Sequence, residues 1–219
     1  MHKSHLSRSS IYITSKVWDD KHTRNGAYSA VRESLELLAT DYIDLYLVHN
    51  PRSGPNGRHQ AWLGLQDALA EGKVKSIGVS NFTPAHFKSL MESEGVTVKP
   101  SVNQIELHPW NQQKEIVAYC KQEGIAVQAY SPLTRGKNLG DPVIAQVAKK
   151  HGKTAAQIVL RWVMQQGFIV IPKSENPARI RENASIFDFE LDEEDLAVIS
   201  KLDRGQEGNT GIWNPWEHE

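Results

Sequence analysis

One stretch near the C-terminal end, residues 169–183, carries the charges and the hydroxyl of an anion-binding site. It reads I-V-I-P-K-S-E-N-P-A-R-I-R-E-N, and its Asn176-Pro177 pair is typical of a helix start. A helix N-terminus carries partial positive charge, so Arg179 in the first turn is unfavourable unless an anion binds there. Lys173, Ser174 and Arg179, beside free backbone N–H groups, therefore indicate a phosphate site. The alternative interpretation is a solvated basic helix end.

A second group of reactive side chains follows apolar runs that are typical of buried strands. Six such runs end, in chain order, at Lys16, at His49, at Ser80 and Asn81, at Glu106, at Tyr130 and Ser131, and at Lys173. A lysine there lowers a neighbour's pKa through its charge, and a histidine can donate to a carbonyl oxygen or orient it. Each of these side chains alone could be a capping residue on a loop. Because polar groups follow all six predicted strands, a single site surrounded by strand ends is favoured.

The polar groups at these strand ends suit a flat ring that carries an amide. Tyr130 can stack on such a ring, and Ser80, Asn81 and Gln104 can satisfy the amide. Together with the phosphate site, they predict a nicotinamide dinucleotide lying across the strand ends. No metal-ligand spacing, P-loop or G-x-S-x-G pattern occurs, so we expect no metal and no acyl-transfer serine.

Strand-like and helix-like segments alternate six times, which predicts a single α/β domain over residues 1–219 with a parallel sheet and helices outside. The predicted strands are 11–15, 43–48, 75–79, 101–105, 125–129 and 168–171. The predicted helices are 25–38, 60–71 after a loop at 52–59, 83–94, 114–123, 142–151, 154–166, one from 177, and 191–202.

The strand ends favour one parallel architecture over another. No G-x-G-x-x-G follows any strand, which argues against a Rossmann fold, whereas chemistry at strand ends is typical of a TIM barrel. A complete (β/α)8 barrel needs eight strands and ~250 residues. Only six units are found here, so the first and last strands are expected to be unpaired edges through which the chain can self-associate.

Composition narrows the class of protein. Hydrophobic residues make up 39% and charged residues 23%, which argues against disorder. The net charge of -1 gives no case for nucleic-acid or membrane-surface binding. Cys120 is the single cysteine, so no intrachain disulfide forms. No apolar run approaches the ~20 residues of a membrane span, and a cytoplasmic protein is the expectation.

These motifs resemble the aldo-keto reductase family. The matching stretches are 13–18, 41–49, 78–82, 102–109, 129–133 and 171–174 through Asn183. They cover the chain from Ile11 to about Leu202, and six ordered motifs at family-like spacing are highly specific. The resemblance implies a TIM barrel that uses NADPH to reduce the carbonyl groups of small aldehydes and ketones.

The resemblance also implies a role for individual residues. Lys16 and His49 would be catalytic, and Trp18 and Asn50 would line the substrate pocket. The residues implied for the nicotinamide end of NADPH are Ser80, Asn81 and Gln104 on the amide and Tyr130 on the ring. The residues implied for its other end are Ser131 and Leu133 along the pyrophosphate, Lys173, Ser174 and Arg179 at the 2′-phosphate, and Glu182 and Asn183 at the adenine.

Departures from the family pattern limit what the resemblance implies. The family's catalytic Asp and Tyr come from its first two βα units, upstream of the strand at Ile11, so an N-terminally shortened chain with impaired activity is expected. The alternative is a non-catalytic nicotinamide-nucleotide-binding or interaction protein on the same fold. Thr134 and Arg135 replace the family's usual Gly, and the tail near Trp213 would help to select the substrate.

Overall fold

The structure of this chain is a computed structural model that describes residues 6–211, 214 and 216. The polypeptide divides into compact units, one formed mainly by residues up to Asn103 and the other by Gln104–Asn214. The single-domain interpretation stays a prediction. Within the described residues, every helix is too short or too polar to cross a bilayer. Trp213 lies outside the described residues.

Strands and helices alternate in the first unit as the sequence predicts. In chain order its elements are β1 (Thr14–Val17), α1 (Arg24–Leu38), β2 (Ile43–Val48), α2 (Gly54–Ala70), β3 (Val74–Ser80) and α3 (Pro84–Met91). The pairs β1–β2 and β2–β3 are parallel. Strand β4 (Val102–Glu106) follows and crosses the boundary between the units.

The second unit continues the alternation. In chain order its elements are α4 (Lys114–Gln122), β5 (Ala126–Tyr130), α5 (Pro142–His151), α6 (Ala155–Gln165), β6 (Ile169–Val170), α7 (Pro177–Ala184) and α8 (Glu193–Ser200). Strands β5 and β6 are parallel. The strands are ordered β1 to β6 in one sheet, as along the chain, which confirms the predicted α/β class.

The register of β1 on β2 brings two strand ends level with each other. Lys16 lies opposite Leu47, and the N–H of His49 donates to the carbonyl of Val17 at 3.2 Å. Burial of Leu47 fixes this register, because a slip of one residue would turn it away from the core. Full burial of such a side chain contributes about 1.5–3 kcal/mol. The core therefore sets where the polar residues after each strand are placed.

Two predicted boundaries were wrong near the N-terminal side. Helix α2 begins at Gly54, whereas residues 52–59 were predicted as a loop. Pro55 fits the first turn of a helix, where its missing N–H is not needed, and the buried Arg58 side chain donates to the carbonyl of Pro51 at 3.0 Å. Strand β1 begins at Thr14 rather than at residue 11, and Tyr12 is 65% exposed.

The last strand was predicted as a buried run over residues 168–171, which is only partly correct. Strand β6 is two residues long, and Ile169 and Ile171 are 47% and 36% exposed. It is the last strand in the sheet order and pairs with β5. An apolar strand becomes fully buried only when neighbours cover it, and those neighbours cannot be read from the run itself.

We expect the 219-residue chain to self-associate through its edge strands and the exposed apolar side chains beside them. Near β1 and along α1, Tyr12, Trp18 and Leu37 are 65%, 64% and 87% exposed, and a net charge of -1 provides little repulsion. Sedimentation velocity should show mass increasing with concentration. Leu37→Lys should reduce this association, whereas Glu36→Lys on the neighbouring position should affect it less. A monodisperse monomer with a concentration-independent melting transition would contradict the prediction.

Candidate active site and cofactor site

Trp18 and His49 meet directly after the ends of β1 and β2. Their ring centroids are 4.3 Å apart and their planes are nearly perpendicular, an edge-to-face contact. Trp18 is 64% exposed, so its other face remains open to solvent. The two residues are positioned by the parallel register of their strands, as the sequence predicts for strand ends.

Lys16 opens into a cavity of about 610 Å³, which we call the amine cavity. The residues of the amine cavity used below are Lys16, Trp18, Asp19, Asp20, Lys21, Glu33, Ser34 and Tyr46. Within the part of the chain that the structure describes, the Lys16 ammonium makes no hydrogen bond or ion pair. Burial lowers the pKa of Lys16, because desolvation disfavours its charged form.

The surroundings of His49 favour the neutral form of its imidazole. Burial lowers the pKa of His49, and the nearby charge of Lys16 lowers it further, against a smaller opposing effect of Asp19. The imidazole is therefore mainly uncharged at neutral pH, with one ring nitrogen as a donor and the other as an acceptor. Its buried Nδ1 atom has no hydrogen-bond partner among the described residues.

Asn50, which was predicted to line the substrate pocket, makes hydrogen bonds to neighbouring parts of the protein. Its side-chain amide donates to Asp19, and its side-chain oxygen accepts the backbone N–H of Arg52 at 2.9 Å. Asn50 is buried and is not part of the amine cavity. The structure thus shows Asn50 holding the segment after His49, and its role towards substrate stays a prediction.

Ser80 and Asn81 sit beside His49 at the end of β3. The Asn81 amide donates to the carbonyl of His49 at 3.3 Å and to the Ser80 hydroxyl at 3.1 Å. Asn81 takes a left-handed backbone conformation with φ of 61°, which Asn tolerates better than most residues. Both side chains are buried, and their assignment to a nicotinamide amide stays a prediction.

In the second unit, Gln104 and Tyr130 occupy β4 and β5. The Gln104 amide donates to the side-chain oxygen of Gln128 at 2.6 Å. Burial raises the pKa of Tyr130, and the charge of Glu106 adds to this effect, so the phenol stays neutral at physiological pH. A neutral, half-buried ring suits stacking. Ser131 follows with a φ of 49° and starts the turn.

Six of the residues that the resemblance implies for the cofactor line one cavity of about 400 Å³, which we call the anion cavity. They are Leu133, Lys173, Ser174, Arg179, Glu182 and Asn183. Lys173 pairs with Glu175 at 2.5 Å, and Glu182 accepts a hydrogen bond from Thr154 at 2.7 Å. The Arg179 guanidinium makes no hydrogen bond or ion pair with any described residue, so it is available to a ligand.

One expectation about the anion cavity was wrong. Free backbone N–H groups were expected at the start of α7, but the Asn176 side chain accepts those of Ala178 and Arg179 at 2.9 and 3.2 Å. An N-cap side chain satisfies the donors that an anion would otherwise use. The binding of an anion by the side chains of Lys173, Ser174 and Arg179 therefore stays a prediction that no longer includes these two backbone N–H groups.

Sequence reasoning missed Arg135, which also lines the anion cavity. Thr134 and Arg135 have φ values of 49° and 53°, a conformation that L-residues rarely adopt. The buried Thr134 hydroxyl accepts the N–H of Asn138 at 3.2 Å and so fixes the turn. The one signal in the sequence is the replacement of the family's Gly by Thr134 and Arg135, and it does not by itself place Arg135 in the cavity.

Glu106 is the remaining predicted strand-end group, and its side chain makes hydrogen bonds within the protein. Its Oε1 atom accepts from His108 Nε2 at 3.0 Å and from the backbone N–H of Thr210 at 2.8 Å. Glu106 and His108 are fully buried. This cluster holds the segment around Thr210 to the end of β4. Within the described residues, no group of three or more His, Cys, Asp or Glu side chains could hold a metal.

Comparison with known proteins finds reductases that are similar to this chain. The chain is 43% identical over 204 residues to glyoxal reductase of Bacillus subtilis (strain 168), covering 93% of this chain and 72% of that protein. It is 44% identical over 203 residues to methylglyoxal reductase DkgA of Escherichia coli (strain K12), covering 92% and 72%. A Bombyx mori aldo-keto reductase, solved in complex with NADP, superposes with a TM-score of 0.83 at 38% identity, covering 92% and 71%.

A sequence model of a protein family also matches this chain. The model described as "Aldo/keto reductase family" matches residues 1–204, nearly the whole chain. The match agrees with the six motifs and with the parallel sheet, and it confirms the predicted TIM-barrel type of fold. This protein is therefore an oxidoreductase that belongs to the aldo/keto reductase family.

Proposed function

We propose that this protein uses NADPH to reduce the carbonyl group of small aldehydes and ketones. The anion cavity carries the proposal, because it gathers six predicted cofactor residues, among them two cations and a hydroxyl, together with the further cation Arg135. Two relatives are named for reducing glyoxal and methylglyoxal, which supports small aldehydes as the substrate class. A cytoplasmic location is part of the proposal, since a single cysteine cannot form the intrachain disulfides common in secreted domains.

The chemistry of the anion cavity fits a phosphate monoester. Lys173 and Arg179 provide positive charge, and Ser174 provides a hydroxyl. The Lys173–Glu175 pair is exposed, and such surface pairs contribute about 0–1 kcal/mol. Hydrogen bonds to charged groups contribute about 1.5–3 kcal/mol, so Lys173 gains by turning from Glu175 to a phosphate. These side chains would hold the 2′-phosphate of NADPH.

The nicotinamide ring supplies a hydride when the cofactor is bound. Tyr130 offers a neutral aromatic face for such a ring, because burial and Glu106 keep its phenol protonated. Ser131 and Leu133 follow it towards the anion cavity, in the order implied for the pyrophosphate. Glu182 and the buried Asn183 complete that cavity and would face the adenine.

Lys16 and His49 would act on the carbonyl oxygen. A neutral imidazole donates one hydrogen bond, which orients the oxygen and stabilises the negative charge that develops during reduction. Lys16 would place a cation beside His49, and the effect of its charge on the pKa of His49 supports this role. Trp18, which packs on His49 and remains exposed, would form an apolar wall for the substrate.

A second function is a nucleotide-binding role without rapid turnover. Tyr46 contributes a tyrosine side chain to the amine cavity. Its hydroxyl donates to the carbonyl of Ala30 at 3.0 Å and lies 2.9 Å from the Ser34 hydroxyl. Burial raises the pKa of Tyr46, which makes it a weaker acid. This observation favours a chain that binds NADPH and lacks an efficient proton donor.

A fluorescence titration with NADPH, paired with an assay of NADPH oxidation by methylglyoxal, tests both functions. We expect saturable quenching of tryptophan fluorescence and slow, substrate-dependent oxidation. Binding without any oxidation would select the non-catalytic alternative. Absence of saturable NADPH binding by folded protein would contradict both, because the anion cavity would then have been misassigned.

A further inference from the structure

The carbonyl oxygen of Val17 accepts two hydrogen bonds where β1 and β2 end. One comes from the backbone N–H of His49 at 3.2 Å, and the other comes from the ring of His22, whose Nε2 atom lies 3.4 Å away. Because a carbonyl oxygen can only accept, Nε2 of His22 carries a proton. Val17 stands between Lys16 and Trp18 in the sequence, so both hydrogen bonds act on the segment that carries these two predicted site residues.

The other ring nitrogen of His22 contacts the segment that follows His49. Its Nδ1 atom lies 2.7 Å from the Ser53 hydroxyl, which donates to it when the ring is neutral. Gly57 of α2 makes room for this contact, because a Cβ atom at that position would lie 2.5 Å from Cβ and 2.6 Å from Oγ of Ser53. Any larger residue at position 57 would therefore push Ser53 out of its place beside His22.

The surroundings of His22 favour the neutral ring that this pattern of hydrogen bonds requires. The side chain is 5% exposed, and burial lowers its pKa against opposing effects of the Val17 carbonyl, Asp19 and Asp20. A neutral imidazole donates at one nitrogen and accepts at the other. His22 thus links the end of β1 to the segment beyond β2 with both of its ring nitrogens.

We propose that His22 is a positioning residue, which holds Trp18 and His49 in contact by tying Val17 of β1 to Ser53 beyond β2. A shift of either segment would change the edge-to-face contact of the two rings, whose centroids are 4.3 Å apart. All of the residues involved belong to the first compact unit. The importance of His22 for carbonyl reduction rests on the proposed function, whereas its effect on the ring contact does not.

Two further contacts should keep the first unit folded when His22 is replaced. The Asn50 amide donates to Asp19 and so joins the same two segments. The turn that precedes His22 is also held on α1, because Lys21 Nζ lies 2.5 Å from the Glu33 carboxylate. We therefore expect replacement of His22 to displace the ring pair without unfolding the protein.

Proton NMR of the full 219-residue chain, without nucleotide or aldehyde, tests the proposal. The ring current of Trp18 displaces the resonances of the His49 ring protons, and a Trp18→Leu variant measured at the same pH gives the size of this displacement. We expect His22→Ala to lose most of it. Ser53→Ala should lose a part, because it removes only the hydrogen bond to Nδ1. His22→Gln should recover a part, because its side-chain amide can donate to the Val17 carbonyl.

His59 provides a matched control in the same unit. Its Nε2 atom lies 2.6 Å from the carbonyl oxygen of Glu94, and His59→Ala should leave the displacement unchanged. An unchanged displacement in folded His22→Ala, or an equal loss in His59→Ala, would overturn the proposal. If His22→Ala does not fold, an unchanged displacement in Ser53→Ala would overturn it. Because neither NADPH nor aldehyde is present, these outcomes are independent of whether the protein reduces carbonyl groups.

Discussion

Arg179→Ala is expected to weaken NADPH binding by more than about tenfold and to leave NADH binding nearly unchanged, since one charge-assisted hydrogen bond contributes about 1.5–3 kcal/mol. Arg179 lines the anion cavity without an ion-pair partner among the described residues. NADH has no 2′-phosphate, so it gains little from this guanidinium. The unmodified chain should accordingly prefer NADPH over NADH by more than about tenfold.

The neighbouring arginine of α7 provides a matched control. Arg181 is exposed on the same helix and does not line the anion cavity. Arg181→Ala should therefore change the affinity for either nucleotide much less than Arg179→Ala does. Both affinities can be measured by fluorescence titration at one ionic strength. Equal losses of NADPH and NADH affinity in Arg179→Ala would show that Arg179 does not bind the 2′-phosphate.

The 219-residue chain is expected to reduce methylglyoxal at least about 10²–10⁴-fold more slowly than a fusion that adds the first two βα units of a relative, because a positioned general acid contributes that much. The resemblance places the family's proton-donating tyrosine in those units. Tyr46 cannot replace it, since its hydroxyl is bonded to Ala30 and Ser34 and burial raises its pKa. NADPH oxidation at saturating nucleotide gives the comparison.

Three substitutions define what the fusion should recover. Its activity should be lost in Lys16→Met and in His49→Ala, which remove the two candidate catalytic groups. Tyr46→Phe should keep the activity and lower stability by about 1 kcal/mol, the usual effect of removing one hydrogen bond. Rapid turnover by the 219-residue chain itself, abolished by His49→Ala, would show that the proton-donating tyrosine of the family's first two βα units is not required.

The hydrophobic periodicity of the sequence predicted most of the helices and strands, because the spacing of buried side chains differs between the two kinds of element. The capping boxes at Thr154 and Asp192 start α6 and α8 close to the predicted positions. The start of α2 was missed because Gly54 and Pro55 are typical of loops when the packing of Arg58 is unknown. The exposure of Ile169 was missed because an apolar run does not reveal which neighbours cover it.

The site was predictable where its residues are close in sequence. Lys173, Ser174 and Arg179 come from one short segment, and they meet in one cavity. Arg135 was missed because its position depends on left-handed backbone at Thr134 and at Arg135 itself, which the residue types do not indicate. The use of Asn50 to hold the loop was also missed, since its partner Asp19 is distant in sequence.

Strand β1 lies at one end of the sheet order, and Lys16 is one of its four residues. A lysine on an edge strand weakens strand addition without preventing association, because a second chain docking there would have to dehydrate its ammonium. Lys16, a candidate catalytic residue, would then also help to keep the protein in solution. Replacing it by an apolar side chain removes this protection, so precipitation of Lys16→Met would report on colloidal behaviour rather than on catalysis.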